Sequence, residues 1–260
     1  MSAASQQAKT CLIPVGNPGS GKSFLMNLLA GENRFVHQVA AASVTKDIQS
    51  IVIYPTFADP KKTDLMKTQP LVVYDIPGLI ESDEKRVEQN KKLLIQAIES
   101  FPLAMFIFIF NHQNGRLIPQ DIELFRAVTI AYSIQPQSTI IVFNQACIQM
   151  PNWRQDTVIL FQQLTGWPLE ELNLLFVPDL PVTKDAQIDF KNQSVKLAAQ
   201  QLLLSINFCI PGVCTKSQDI LFKKDEIQKH HTQLEQLKKQ MSMEANKFQA
   251  LREKLAQQLK

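Results

Sequence analysis

The run Gly16-Asn17-Pro18-Gly19-Ser20-Gly21-Lys22-Ser23 has the spacing G-x-x-x-x-G-K-[ST] of a phosphate-binding loop. Its glycines let the backbone curl so that successive N–H groups turn inward and cradle phosphate oxygens. Lys22 supplies a point charge for the β- and γ-phosphates, and the Ser23 hydroxyl is a ligand of the type Mg²⁺ prefers. The apolar Cys11-Leu12-Ile13-Pro14-Val15 precedes the loop and Phe24-Leu25-Met26-Asn27-Leu28-Leu29 follows it. That order, strand, loop, helix, aims a helix N-terminus at the anion.

A second set of groups lies at Asp75-Ile76-Pro77-Gly78, at the end of the apolar Leu71-Val72-Val73-Tyr74. An aspartate there holds Mg²⁺ through water, and the Gly78 N–H senses a γ-phosphate. A third lies at Asn144-Gln145-Ala146-Cys147, after Thr139-Ile140-Ile141-Val142-Phe143. Guanine readers with a phosphate-binding loop place N-K-x-D or T-K-x-D at that point. Here Asn144 is kept, but Gln145 stands for the lysine and Cys147 for the aspartate. A thiol cannot accept the two hydrogen bonds that guanine N1 and N2 offer a carboxylate. Asp179 is an alternative reader of the base, and ATP is an alternative ligand.

These groups need elements to hold them. A helix is expected from Lys22 to about Ala30, stopped by Gly31. Further strands are expected at Ile48–Tyr54, Met105–Phe110 and Leu174–Val177. Further helices are expected from Ser82, as cap, to Glu99, and at Asp121–Ala131, Trp153–Leu164 and Ser194–Ile206. Pro14 cannot donate to a sheet ladder, so an irregularity is expected in the first strand. Strands alternating with helices imply an α/β fold of three layers, the P-loop NTPase arrangement, with a mostly parallel central sheet and ligands at the strands' carboxyl ends.

The 260 residues divide into a loose start over 1–9, the α/β domain over 10–214 and a C-terminal extension over 215–260. In the extension Ile220, Ile227, Leu234, Met241, Phe248 and Leu255 recur every seven residues, the pattern of one long amphipathic, coiled-coil-like helix. The companion positions Lys223, His230 and Glu244 are polar, so the seam is incomplete. The stripe has two available partners, the domain itself or a helix of another chain. Residues 216–260 carry ten Lys/Arg against six Asp/Glu, which leaves the preceding residues at net −1 of the total +3. Nothing in this distribution calls for nucleic acid, while association with a membrane surface stays open. No leader segment and no run long enough to span a membrane is apparent, so a cytoplasmic protein is expected. The cysteines Cys11, Cys147, Cys209 and Cys214 have no metal-ligand spacing.

Taken together, these pieces resemble the immunity-associated, avirulence-induced-gene type of GTPases, in the septin-like branch of the P-loop GTPases. The matching residues are the loop Gly16 to Ser23 with Asn27 beyond it, Ser43-Val44-Thr45, Asp75-Ile76-Pro77-Gly78-Leu79, and Gly115-Arg116 with Asp121 following. The likeness covers roughly residues 10–145. It implies a Mg²⁺-dependent protein that binds GTP and GDP, hydrolyses GTP slowly or on pairing, and switches with nucleotide state. It implies Ser23, Thr45 and Asp75 around the metal, with Ser43 and Thr56 as rivals of Thr45, and Asn144 beside the base. Leu79 stands where Ras-like GTPases orient water with glutamine. In such a family hydrolysis depends on pairing across the nucleotide face. Lys22 and Thr45 would then act on the reacting phosphate in cis and Arg116 in trans. The competing reading is a nucleotide-stabilised scaffold that has lost guanine selectivity or turnover.

Overall fold

The computed structural model describes residues 10–35, 49–53, 70–79, 83–101, 103–146, 151–169, 173–183, 185, 187–222 and 225. The chain divides into two units, Met1–Ile220 and Leu221–Lys260. The expected long helix over 215–260 lies almost wholly outside the described residues.

In chain order the elements are β1 (Thr10–Val15), α1 (Lys22–Ala30), β2 (Gln49–Ile53), β3 (Leu71–Asp75), α2 (Glu84–Ser100), β4 (Leu103–Phe110), β5 (His112–Gln113) and β6 (Arg116–Leu117). There follow α3 (Pro119–Ala131), a 3₁₀ turn (Pro136–Ser138), β7 (Thr139–Phe143), α4 (Trp153–Thr165), β8 (Leu174–Phe176), α5 (Gln193–Phe208) and β9 (Gly212–Val213). Among the described residues, seven strands form one sheet in the order β2-β3-β1-β4-β7-β8, with β9 joined to β4. The pairs β1–β3, β1–β4, β4–β7 and β7–β8 are parallel, while β2 and β9 run antiparallel to β3 and β4. This is the mostly parallel α/β sheet that alternating strands and helices imply.

Period-two alternation along β4 builds both layers of the core at once. Met105, Ile107 and Ile109 fall in one cluster with Leu25, Met26 and Leu29 of α1 and Ala199, Leu202 and Leu203 of α5. The intervening Phe106, Phe108 and Phe110 carry the other face. There Phe108 meets Phe125 of α3 edge-on at 4.8 Å, and Phe110 meets Phe161 of α4 at 5.1 Å. Edge-to-face packing adds to the area each ring buries.

Local chemistry sets the ends. The helix α1 spans Lys22–Ala30 as the sequence predicts, and Gly31 closes it in the left-handed region, its N–H bonded to Asn27 O. The cap of α2 differs from expectation. Asp83, not Ser82, caps it, accepting from the Lys85 N–H at 3.0 Å. The carboxylate both takes that orphan donor and faces the positive end of the helix dipole. The irregularity expected at Pro14 is absent, since β1 runs through it in register with Ile107 of β4. The ladder with β3 covers only Thr10 to Leu12, so Pro14 has a single strand neighbour to serve.

Candidate nucleotide-binding site

At the carboxyl end of β1 the chain turns sharply through Gly16 to Gly21 into α1. Gly21 caps the helix at φ 94°, a left-handed conformation that disfavours side chains. A β-carbon there would also fall 2.3 Å from Asn144 Nδ2. That closeness has a purpose: the buried Asn144 amide reaches from the end of β7 to donate to Ser20 O at 2.9 Å. Asn144, for which the resemblance implies a place beside the base, braces the loop.

Lys22 is buried, and its Nζ donates to the carbonyls of Gly16 and Asn17, each at 3.0 Å. The ammonium is thus held over the loop that its own backbone forms. Ser20 Oγ is buried in the same loop with no hydrogen-bond partner. An unpaired buried hydroxyl is costly, and an anion seated in the loop is an acceptor of the kind it lacks. Ser23 Oγ lies 3.4 Å from both carboxylate oxygens of the buried Asp75. Two hard oxygen donors at that spacing, next to an ammonium, suit Mg²⁺ bound to phosphate. The donor set therefore fits the metal that the loop's chemistry requires.

The segment after Asp75 folds directly onto the phosphate loop. Gly78 abuts Pro18, and Asn90 of α2, itself buried, donates to the Gly78 carbonyl at 2.7 Å. Leu79 is 1% exposed, so the residue in the glutamine position is packed into the core. The Gly115-Arg116 box forms a small hairpin of β5 and β6, turned by Asn114 and Gly115 at φ 51° and 78°. Arg116 is exposed on it. His112 at its base contacts the Gln145 carbonyl, and Trp153 of α4 donates to Gly115 O at 2.7 Å. Arg116 therefore rides on a hairpin tied to the segment after β7. The phosphate loop, Asp75, Gly78 and Asn144 converge at one end of the sheet. Thr45, with Ser43 and Thr56, lies outside the described residues, as does Cys147. Asp179 is exposed just past β8, where Ala146 N–H bonds to Val177 O.

Two contributors escape sequence reasoning. Asp121 appears there only as the end of the Gly115-Arg116 box, yet it binds the side chain of Asn17 at 2.7 Å. Asn90 has no motif around it at all. The hairpin did have a signal, since Asn114-Gly115 favours a two-residue turn of this kind.

A family model described as 50S ribosome-binding GTPase matches residues 12–145. GTPase Era of Synechocystis sp. is 24% identical over 164 residues, 62% of this chain and 46% of Era. The chain thus spans about half the length of the curated relative it matches. The crystal structure of Aquifex aeolicus Era bound to GDP·AlF4⁻ superposes with a TM-score of 0.51 at 16% identity, over 81% of this chain and 62% of that one. A structure of Era with MgGDPNP and a segment of 16S ribosomal RNA gives 0.49 at 17% identity, over 84% and 60%. The match over residues 12–145 takes in just over half of the chain and every group that meets at this end of the sheet; the chain belongs to the 50S ribosome-binding GTPase family.

Proposed function

We propose that the protein is a Mg²⁺-dependent guanine-nucleotide switch that hydrolyses GTP slowly as a monomer and faster when paired. The observation that carries this reading is the grouping of Lys22, Ser23 and Asp75. The ammonium sits over the loop, and the hydroxyl stands 3.4 Å from both oxygens of the carboxylate. Inward N–H groups of the loop and the Ser20 hydroxyl bind the phosphates, and Lys22 neutralises charge on them. Ser23 and Asp75 would hold Mg²⁺, with Thr45 joining them, and the ion supplies charge neutralisation between the β- and γ-phosphates. Gly78 offers its N–H to the γ-phosphate while Asn90 holds its carbonyl, so loss of that phosphate frees the segment to move.

The buried Leu79 leaves no side chain in the glutamine position to orient water. Arg116, exposed on its hairpin, suits action on a second molecule, as an arginine finger does. That hairpin, leading into Asp121, is also what supports the finer likeness to the immunity-associated branch, since Asp121 of the box binds Asn17 of the phosphate loop. Contact with ribosomal RNA is a property of Era; this chain covers 60% of that structure and its charge pattern does not ask for nucleic acid.

A second reading keeps the cradle but not the turnover: a scaffold stabilised by nucleotide. Gln145 and Cys147, in place of the lysine and aspartate that read guanine, favour it. One experiment separates the two. Melting temperatures are measured with Mg²⁺ and GTP, GDP, ATP or no nucleotide, alongside GTP turnover. A rise with GTP and GDP above that with ATP, with turnover, supports the switch. Equal rises without turnover support the scaffold, and no rise with any nucleotide refutes both.

A further inference from the structure

Asn17 donates its side-chain amide to Asp121 Oδ1 at 2.7 Å, across 104 residues of chain. The other carboxylate oxygen accepts from the backbone N–H of Asn111 at 3.0 Å. Asn111 in turn donates its own amide to the Gly19 carbonyl at 3.0 Å. The outer turn of the phosphate loop, Asn17-Pro18-Gly19, is therefore held at one end by Asp121 in the first turn of α3 and at the other by Asn111, just past β4. Pro18, at its middle, is the surface on which Gly78 rests.

Asp121 is 4% exposed. Burying a carboxylate is expensive, and an apolar residue of similar volume would serve the packing of α3 as well or better. What an apolar residue cannot do is accept from two donors that converge from different segments. An amide in its place offers one acceptor and one donor, so it satisfies both only if Asn17 turns its own amide over. The arrangement thus ties the phosphate loop to α3 through a group chosen for its two acceptors.

We infer that Asp121 is a positioning residue for the phosphate chemistry. Through Asn17 it fixes the outer turn against which Gly78 closes, and so sets the preference for nucleoside triphosphate over diphosphate. This rests on the guanine-nucleotide reading above, and the test tells the two apart.

The full chain is compared with Asp121→Ala, Asp121→Asn, Asn17→Ala and the double Asp121→Ala/Asn17→Ala variant. Affinities for GMPPNP and GDP are titrated with Mg²⁺, GTP turnover is followed, and melting temperatures are taken without nucleotide. Losing a hydrogen bond to a charged group should lower turnover and the triphosphate-to-diphosphate affinity ratio about tenfold in each single Ala variant. The double variant should be no worse than the poorer single one, because both act through one bond. Asp121→Asn, which keeps shape and one acceptor, should recover part of the ratio; it also serves if Asp121→Ala fails to fold. Folded variants whose ratio and turnover equal those of the unmodified chain would overturn the inference. So would losses that add in the double variant, or that fall equally on both nucleotides in step with melting temperature. If the unmodified chain binds neither nucleotide, the functional reading fails and this inference falls with it. If the unmodified chain discriminates and the variants match it, only the inference fails.

Discussion

A β-carbon at Gly78 would lie 2.2 Å from the backbone nitrogen of Pro18, so the second motif and the phosphate loop touch backbone to backbone. No side chain fits between them. Gly78→Ala must therefore push the segment away from the γ-phosphate position. A shift of about 1 Å in such a group costs on the order of a hundredfold in rate. On the proposed role of the Gly78 N–H at the γ-phosphate, turnover should fall by that order while GDP affinity changes little. Single-turnover kinetics with parallel GDP titration checks this.

Lys22→Ala and Ser23→Asn test the cradle itself. Each removes a charge-assisted contact worth about 1.5–3 kcal/mol, so affinity for triphosphate should drop by about 10- to 100-fold. The Ser23→Asn loss should shrink when Mg²⁺ is withdrawn, as the proposed metal-ligand role of the hydroxyl requires. Titration calorimetry with and without chelator reads both.

Asp121 gives opposite pH trends for folding and for binding. Burial lifts its carboxyl above the ordinary aspartate value of 3.8, against the pull of the Asn111 N–H, the Asn17 amide and the Lys22 ammonium. Between those two values the folded chain holds a proton that the unfolded chain has released. Acidification through this window therefore adds stability from this group, and the gain is lost as pH rises through the folded value. The protonated acid no longer accepts from both donors, so nucleotide affinity should fall over the same window. Melting curves and titrations taken upward from the ordinary aspartate value should show the two trends, and Asp121→Asn should remove this contribution to both.

Guanine selectivity should be weak and repairable. A site lacking the carboxylate partner of guanine forgoes a discrimination that reaches about 10⁴–10⁵ where polar groups are matched. Cys147→Asp should raise the GTP-over-ATP preference, measured by competition. Strong rejection of ATP by the unmodified chain would show that another group, such as Asp179, reads the base.

Turnover should rise with protein concentration, and Arg116→Ala should flatten that rise while leaving nucleotide affinity unchanged. Arginine fingers accelerate hydrolysis by about a thousandfold or more, so the effect is well above assay noise. A fast rate independent of concentration would refute pairing.

Much of this fold was legible because its strands are buried on both faces and read as unbroken apolar runs, Met105 to Phe110 above all. The helix α1 was legible from Lys22 to about Ala30, since the phosphate-loop motif leads into it and Gly31 stops it. The short strands were not: β5, β6 and β9 have two residues each, too few for any periodicity to show. Asp83 displaced Ser82 as the cap because two adjacent residues were both competent, and spacing does not choose between them. Within the site, groups fixed by local spacing were found, while the contact of Asn17 with Asp121 was not. It joins two segments that only the parallel register of β1 with β4 brings side by side. The base remained ambiguous for a chemical reason, since Cys147 breaks the one local pattern that reads it.

The short strand β9 has a practical consequence. It pairs with Leu103 and Ala104, at the opposite end of β4 from the phosphate loop. The following residues are stitched to that same pole, Ser217 N–H donating to Ala131 O at 2.7 Å. At about 3.3 Å per residue the eight residues of β4 put roughly 25 Å between the two ends. Within the first unit the phosphate loop and the segment carrying β9 and Ser217 thus lie at opposite ends of the sheet. A label on the exposed Val213 of β9 therefore sits clear of the phosphate loop and can report on nucleotide binding without touching that site.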